Sequence, residues 1–143
     1  MIELQLSAAA LLRTVSFVVM DKRRKQSNEE FAQELERRTR RFAVKIIRLS
    51  TSLPNNPEGK VLRNQVTKSG TSIGANYREV NRARSRTEFN SRIKICESEA
   101  SETQYWLEVI KEAGVLPEQD IVPHQQECTE LLAIFTAIAN PKQ

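Results

Sequence analysis

The chain has 143 residues and a net charge of +4, with 39% hydrophobic and 28% charged residues. This length suits one domain whose hydrophobic core needs no disulfide or metal support. The four glycines, five prolines and 6% aromatic residues argue against a β-sandwich or barrel and favour helices.

The small net charge hides an uneven distribution along the chain. Residues 1–94 hold 20 Lys and Arg against 9 Asp and Glu, a net +11, whereas residues 95–143 hold 2 against 9, a net −7. Charge segregated in this way indicates either a basic surface for an anionic partner or complementary association between copies of the chain.

Residues 1–26 are interpreted as an N-terminal extension that docks a partner or is partly disordered. Polar residues interrupt their apolar ones, and the basic run Lys22–Lys25 follows the apolar stretch instead of preceding it. A membrane span or secretory signal is therefore not expected. We predict a soluble, cytoplasmic protein with no membrane partner; a membrane-surface role for residues 1–25 is the alternative.

The regular part of the pattern covers residues 27–143. Ser27 and Asn28 are predicted to cap a first helix, whose inner face is a stripe at three- and four-residue steps. That stripe consists of Phe31, Leu35, Thr39, Phe42, Ile46, Leu49 and Leu53. Pro54 is predicted to end this helix, and Asn56 to cap the next, with Pro57 in its first turn.

The second helix contains two glycines, Gly70 and Gly74, among other small residues. Glycine inside a helix costs about 1 kcal/mol relative to alanine, so a packing reason is required. We predict that a neighbouring helix crosses closely at these positions. A phosphate-binding glycine loop is not indicated, because such a loop lies between a strand and a helix.

Two further helices follow. Ser85 and Glu88 form the capping-box pattern that begins a third helix, and Gly114 and Pro117 end it before a fourth. Four helices joined by short connections predict an all-α, antiparallel up-down-up-down four-helix bundle over residues 27–143. Cys96 and Cys128 are predicted to lie at different levels of the bundle and to form no disulfide.

Residues suited to catalysis or metal binding are sparse. The single histidine, His124, has no Cys, Asp or Glu at ligand spacing and is expected to be solvent-exposed. The glutamates of the third helix lack the Glu-x-x-His pairs of di-iron bundles. We therefore predict no catalytic residue, no metal site and no cofactor, and hence a protein that is not an enzyme.

Basic residues are the more informative set. Lys and Arg at this density contact phosphates through charge, without sequence preference. The alternative is a solubilising face that pairs with the acidic half of a neighbouring subunit. The predicted nucleic-acid-binding residues are Arg37, Arg38, Arg41, Lys45, Arg48, Lys60, Arg63, Lys68, Arg78, Arg82, Arg84 and Arg86.

The third helix carries apolar residues on more than one face, which indicates contact with a second subunit as well as with its own core. The residues predicted to form this oligomer interface are Phe89, Tyr105, Trp106 and Val109.

Three motifs between Gln65 and Leu107 resemble those of a known family. They are KSGTSIGANYRE at Lys68–Glu79, the helix start Ser85–Phe89, and EASETQYWL at Glu99–Leu107. In this pattern the chain resembles the four-helix-bundle family of 23S rRNA intervening-sequence proteins, with a similar layout over about residues 28–139. Residues 1–26 have no counterpart in that layout.

This resemblance implies a homopentamer and kinship with the accessory variability determinant of diversity-generating retroelements. That relative is a similar bundle that assists a reverse transcriptase and engages RNA and the polymerase through a basic surface. For this chain the resemblance implies self-association, contact with RNA or DNA phosphates, and a reverse transcriptase as a partner.

Two functions are therefore predicted. The first is a non-enzymatic, homo-oligomeric protein that binds RNA and serves as an accessory factor to a reverse transcriptase. The second is a protein–protein adaptor without a nucleic-acid role, in which residues 1–26 form the docking arm.

Overall fold

The computed structural model describes residues 8–142, and within them it contains four helices and no strand. The helices are α1 (Ala8–Thr51), α2 (Pro57–Val80), α3 (Arg86–Ala113) and α4 (Glu118–Ala139). Connections of four or five residues join them, and contacts described below pair each helix with its antiparallel neighbours. The predicted all-α, up-down-up-down four-helix bundle is confirmed.

The beginning of α1 differs from the prediction. The helix starts at Ala8 and runs through Ser27 and Asn28, so the predicted cap at these residues is wrong. No glycine or proline lies between Ala8 and Thr51, and a capping residue favours a helix start without forcing one. Residues 1–7 of the predicted N-terminal extension lie outside the described residues.

The chain divides into two units, one ending at Leu35 and the other formed by residues 36–143. In the first unit, the large apolar side chains of α1 between Leu11 and Met20 are exposed. Phe31 is 52% exposed, so its predicted place in the buried stripe is wrong, whereas Leu35 is buried.

The second unit contains the core of the bundle. Each helix turns one apolar stripe inward, as its three- and four-residue spacing predicts. The largest fully buried side chains are Phe42 and Ile46 of α1, Val66, Ile73 and Val80 of α2, Ile93, Leu107 and Ile110 of α3, and Ile121, Leu131 and Phe135 of α4.

The close crossing predicted at the two glycines of α2 is confirmed. A Cβ atom added to Gly70 would lie 2.8 Å from Cγ2 of Ile46, and one added to Gly74 would lie 3.1 Å from Oγ1 of Thr39. From the first contact to the second, the residue number rises along α2, from 70 to 74, and falls along α1, from 46 to 39. The two helices are therefore antiparallel. The missing side chains let the backbone of α2 approach α1.

The predicted caps of α2 and α3 are confirmed. The Asn56 side chain accepts a hydrogen bond from the backbone N–H of Gly59 (2.7 Å), and Ser85 accepts one from the N–H of Glu88 (3.1 Å). The Glu88 carboxylate accepts from the N–H of Arg84 at 2.9 Å, one residue earlier than in the usual capping box. Gly114 ends α3 in the left-handed region, at φ 66°.

The two cysteines are buried and do not form a disulfide. The Cys128 thiol donates to the carbonyl of Ala100 (3.3 Å), and the Cys96 thiol donates to that of Ile73 (3.8 Å). Cys128 is thus level with a residue one helical turn from Cys96, about 6 Å along the axis. With the Lys111–Glu118 ion pair (3.2 Å), the Ala100–Cys128 contact places α3 antiparallel to α4. The proximity of Lys68 to Glu99, with the Ile73–Cys96 contact, places α3 antiparallel to α2.

Candidate nucleic-acid interface

One outward face of α1 is strongly basic. Its members, which we call the α1 basic face, are Arg40, Arg41, Lys45 and Arg48, and all four are exposed. The buried stripe of α1 fixes the rotation of the helix within the bundle, so that these residues point away from the core. They line a shallow concavity of about 270 Å³ together with Val44.

A groove between α1 and α2 adjoins this face. Arg40 lines it from α1 and Arg78 lines it from α2, and its volume is about 320 Å³. Ala75 and Gly74 leave this space open because they have a small side chain or none. The Glu36 carboxylate also lines the groove and accepts a hydrogen bond from the Asn81 side chain (2.8 Å).

Arg38 and Arg63, both predicted to bind phosphates, make contacts within the bundle. Arg38 joins α1 to α4 through ion pairs with Glu127 (2.6 Å) and Glu130, and its side chain is 31% exposed. The hydrogen bond to Glu127 is the main reason that the pKa of Arg38 is raised. Arg63 donates to the carbonyl oxygens of Ser50 (3.2 Å) and Leu53 (2.9 Å).

The contacts of Arg63 satisfy acceptors at the C-terminal end of α1, where the helix itself provides no donors. Both arginines therefore stabilise the bundle, and their guanidinium groups are engaged. Sequence spacing could not reveal this, because the partners of Arg38 lie 89 and 92 residues away.

The other predicted basic residues are exposed but dispersed. Arg82, Arg84 and Arg86 lie at the connection between α2 and α3, where the guanidinium of Arg86 lies over the ring of Phe89, 5.3 Å from its centre. Those further along the helices are Arg37 on α1 and Lys60 and Lys68 on α2. Lys68 is close enough to Glu99 of α3 to oppose the rise in the pKa of that carboxyl, which burial causes.

The predicted interface residues fall into two groups. Tyr105 and Trp106 pack edge to face, with ring centres 5.0 Å apart and planes at 72°, and Val109 follows one turn later. Phe89 lies sixteen residues before Tyr105, about 24 Å along α3. Tyr105 is 55% exposed and lines a groove of about 600 Å³ between α3 and α4, which also contains Glu97 and Glu102.

The two cysteine thiols are buried. Burial raises the pKa of Cys96 and of Cys128 to about 12, so both thiols are protonated at neutral pH. Among residues 8–142, no three His, Cys, Asp or Glu side chains are grouped so that they could hold a metal ion. No helix in the same range is long and apolar enough to cross a membrane.

Comparison with known proteins identifies the family. The family model of the 23S rRNA-intervening sequence protein matches residues 33–137, which is most of the chain. The chain belongs to this family. No curated protein matches it.

A solved structure shares this fold. A protein of unknown function from the S23 ribosomal protein family of Bacteroides thetaiotaomicron is 33% identical, with a TM-score of 0.69. The similarity covers 73% of this chain and 97% of the other. The α1 basic face and the grooves beside it all lie within the segment that the family model matches.

One residue of the α1 basic face, Arg40, is absent from the nucleic-acid-binding residues predicted from the sequence. Arg40 lines both the concavity of the α1 basic face and the groove to α2. Its three-residue spacing from Arg37, which places both on one helix face, is the signal that could have included it.

Proposed function

We propose that this protein is a non-enzymatic, cytoplasmic RNA-binding protein that holds RNA phosphates on the α1 basic face. One observation carries the proposal: Arg40, Arg41, Lys45 and Arg48 share an exposed face, and Arg78 adjoins it across the groove. Guanidinium groups match phosphate oxygens in charge and geometry. The family name, which refers to 23S rRNA, agrees with an RNA partner.

The dimensions of the face suit a nucleic-acid backbone. From Arg40 to Arg48 the helix advances about 12 Å. A duplex presents one negative charge per 1.7 Å of its axis, so a stretch of that length offers about seven phosphates. The phosphates along this length therefore outnumber the four cations of the face. Contact between them requires no particular base sequence.

The charge distribution also supports self-association, which we include in the proposal. The groove between α3 and α4 is acidic through Glu97 and Glu102 and has the exposed ring of Tyr105 at its edge. It lies across the bundle from the α1–α2 groove. A basic edge and an acidic edge on opposite sides permit head-to-tail contacts, which close into rings.

We propose a homopentamer, the state that the family resemblance implies, of about 82 kDa from subunits of 16.4 kDa. Multi-angle light scattering measures this mass directly. A monomeric mass at micromolar concentration would contradict the ring, and Tyr105→Asp is expected to lower the mass while the helical content is retained.

A role as accessory factor of a reverse transcriptase in a diversity-generating retroelement extends this proposal. It rests on the resemblance of the KSGTSIGANYRE and EASETQYWL motifs. The expected genomic context is an adjacent reverse transcriptase gene with a template repeat, and the expected biochemical result is co-purification of that polymerase. Failure of the two proteins to co-purify when co-expressed would remove this role and leave RNA binding intact.

The experiment for RNA binding compares two triple variants of equal charge change. Arg41→Gln, Lys45→Gln and Arg48→Gln together remove three cations of the α1 basic face. The control removes three exposed lysines elsewhere, Lys94, Lys111 and Lys142, by replacement with Gln.

At about 0.1 M salt, loss of three phosphate contacts weakens the binding of single-stranded RNA about 100-fold. We expect this loss for the first variant and a much smaller one for the control. If both variants weaken binding equally, affinity depends on net charge alone and the proposed face is wrong.

A protein–protein adaptor is the second candidate, and one observation favours it. Val44 and Ile47 are 41% and 45% exposed on α1, close to the α1 basic face. Exposed apolar residues among polar ones are typical of sites that bind proteins. Ile47→Ser, outside the concavity of the α1 basic face, separates the two functions: it leaves RNA affinity unchanged if phosphates are the ligand, and weakens partner capture if a protein is.

A further inference from the structure

A second cleft lies between α1 and α4 and shares Lys45 and Arg48 with the α1 basic face. Its volume is about 420 Å³, and it is lined by Lys45 and Arg48 from α1 and by Asp120 and His124 from α4. Leu49 and Leu116 provide an apolar wall. A volume of this size lies within the range of small-molecule sites, which combine apolar walls with a few convergent polar groups.

The cations of the cleft are not neutralised within the described structure. Over residues 8–142, no carboxylate forms an ion pair with Lys45 or Arg48. Asp120 is the acidic group that faces them from α4. Two cations against one carboxylate leave the cleft positive, before any charge on the histidine is considered.

The surroundings of His124 change its pKa. The prediction that His124 is solvent-exposed is wrong, because the residue is half-buried at the wall of the cleft. Burial and the positive charge of Lys45 lower the pKa of His124, and Asp120 opposes the change. The imidazole is therefore neutral at pH 7, and a bound anion would favour its protonated, donating form.

We propose that this cleft binds the terminal phosphate monoester of an RNA strand, with Lys45, Arg48 and His124 as its ligands. A monoester carries a charge of about −1.5 to −2 at pH 7 and offers three acceptor oxygens, which matches three donors from two walls. A phosphodiester within the chain carries a single negative charge and suits the members of the α1 basic face outside the cleft, Arg40 and Arg41. The apolar wall accommodates the sugar and base of the terminal nucleotide.

The inference rests on the proposed RNA-binding function and adds to it a preference for a particular end of the strand. The first experiment titrates the full-length protein with one oligonucleotide in three forms: a 5′-phosphate, a 3′-phosphate and hydroxyls at both ends. We expect one phosphorylated form to bind about tenfold more tightly than the hydroxyl form, the effect of one additional charge-assisted contact. The two phosphorylated forms identify which end is bound.

The outcomes distinguish failure of the terminal-phosphate site from failure of RNA binding by the α1 basic face. Equal, salt-sensitive binding of all three forms overturns the inference and leaves the proposed function standing. Loss of the preference in Lys45→Gln, with its retention in Lys142→Gln, supports the assignment of the cleft. Loss in both variants, or in neither, contradicts it.

A second experiment does not depend on binding to a long RNA. The chain has one histidine, so a single imidazole signal in the NMR spectrum reports on the cleft. Adenosine 5′-monophosphate or adenosine 3′-monophosphate is expected to raise the pKa of His124, and adenosine without the phosphate is expected to leave it unchanged. If neither monophosphate alters the His124 titration at concentrations up to its solubility, the proposed phosphate site is wrong, whatever the affinity for RNA.

Discussion

Replacement of Gly70 by alanine tests how closely α1 and α2 pack. A Cβ atom at this position would lie 2.8 Å from Cγ2, 3.1 Å from Cγ1 and 3.2 Å from Cβ of Ile46. Ile46 is fully buried, and its branched side chain has few alternative rotamers. The added methyl group therefore cannot be accommodated by movement of a flexible side chain, and the two helices must separate slightly.

Two opposing effects determine how much Gly70→Ala changes the free energy of unfolding. Alanine is favoured over glycine inside a helix by about 1 kcal/mol, whereas overpacking of a close-packed core costs about 1–3 kcal/mol. The strain is expected to exceed the gain, so that Gly70→Ala lowers the free energy of unfolding by about 1 kcal/mol. An exposed glycine in a helix would show the opposite sign.

A double-mutant cycle isolates the contact. Ile46→Ala removes both Cγ atoms and leaves only the Cβ atom, 3.2 Å away. In that background Gly70→Ala is expected to stabilise the protein, by less than the helix preference of about 1 kcal/mol. Ile46→Val is the matched control, because it shortens the side chain and keeps both Cγ atoms. In the valine background the substitution should remain destabilising.

Urea unfolding followed by far-UV circular dichroism gives the free energies of all six proteins. Stabilisation by Gly70→Ala in the native background would refute the close crossing. A free-energy change that is the same in the Ile46→Ala background as in the native one would show that Gly70 and Ile46 are not in contact.

Three further predictions concern the cap, the thiols and the histidine. Ser85→Ala removes the acceptor for the N–H of Glu88 and should cost about 1 kcal/mol in urea unfolding; no loss would contradict the capping role. Because burial raises the pKa of both Cys96 and Cys128 to about 12, the native protein should resist alkylation at about pH 8 and react once denaturant is added; rapid native reaction would contradict their burial. The lowered pKa of His124 means that the unfolded chain binds this proton more readily, so stability should fall as the pH drops below 6.5. His124→Gln should flatten this part of the stability curve, and an unchanged curve would contradict the burial of the imidazole.

Local signals predicted most of the helix boundaries. Asn56 and Ser85 could be identified as caps because each acts on a backbone N–H only three residues away. The close crossing at Gly70 and Gly74 could be predicted because glycine is disfavoured inside a helix, so that two glycines there require a packing reason. The start of α1 could not be predicted in the same way. Ser27 satisfies the rule for a cap, yet the helix continues through it because no proline or glycine interrupts the preceding turns.

The candidate site was less predictable than the fold. Helical spacing predicts that Arg37, Arg41, Lys45 and Arg48 share a helix face, and the last three line one concavity. It could not separate them from Arg38, whose carboxylate partners lie on α4, or from Arg63, whose acceptors lie at the end of α1. Identifying Arg38 and Arg63 as arginines that stabilise the bundle requires the positions of the other helices and of the end of α1, which spacing along one helix does not contain.

The salt dependence of RNA affinity tests most directly whether the α1 basic face and Arg78 hold RNA phosphates. Five phosphate contacts predict a slope of about −3.5 for log affinity against log salt with single-stranded RNA. Between 50 mM and 200 mM salt, the affinity of the wild-type protein should fall about 100-fold. Affinity that is equal at the two salt concentrations would contradict the account.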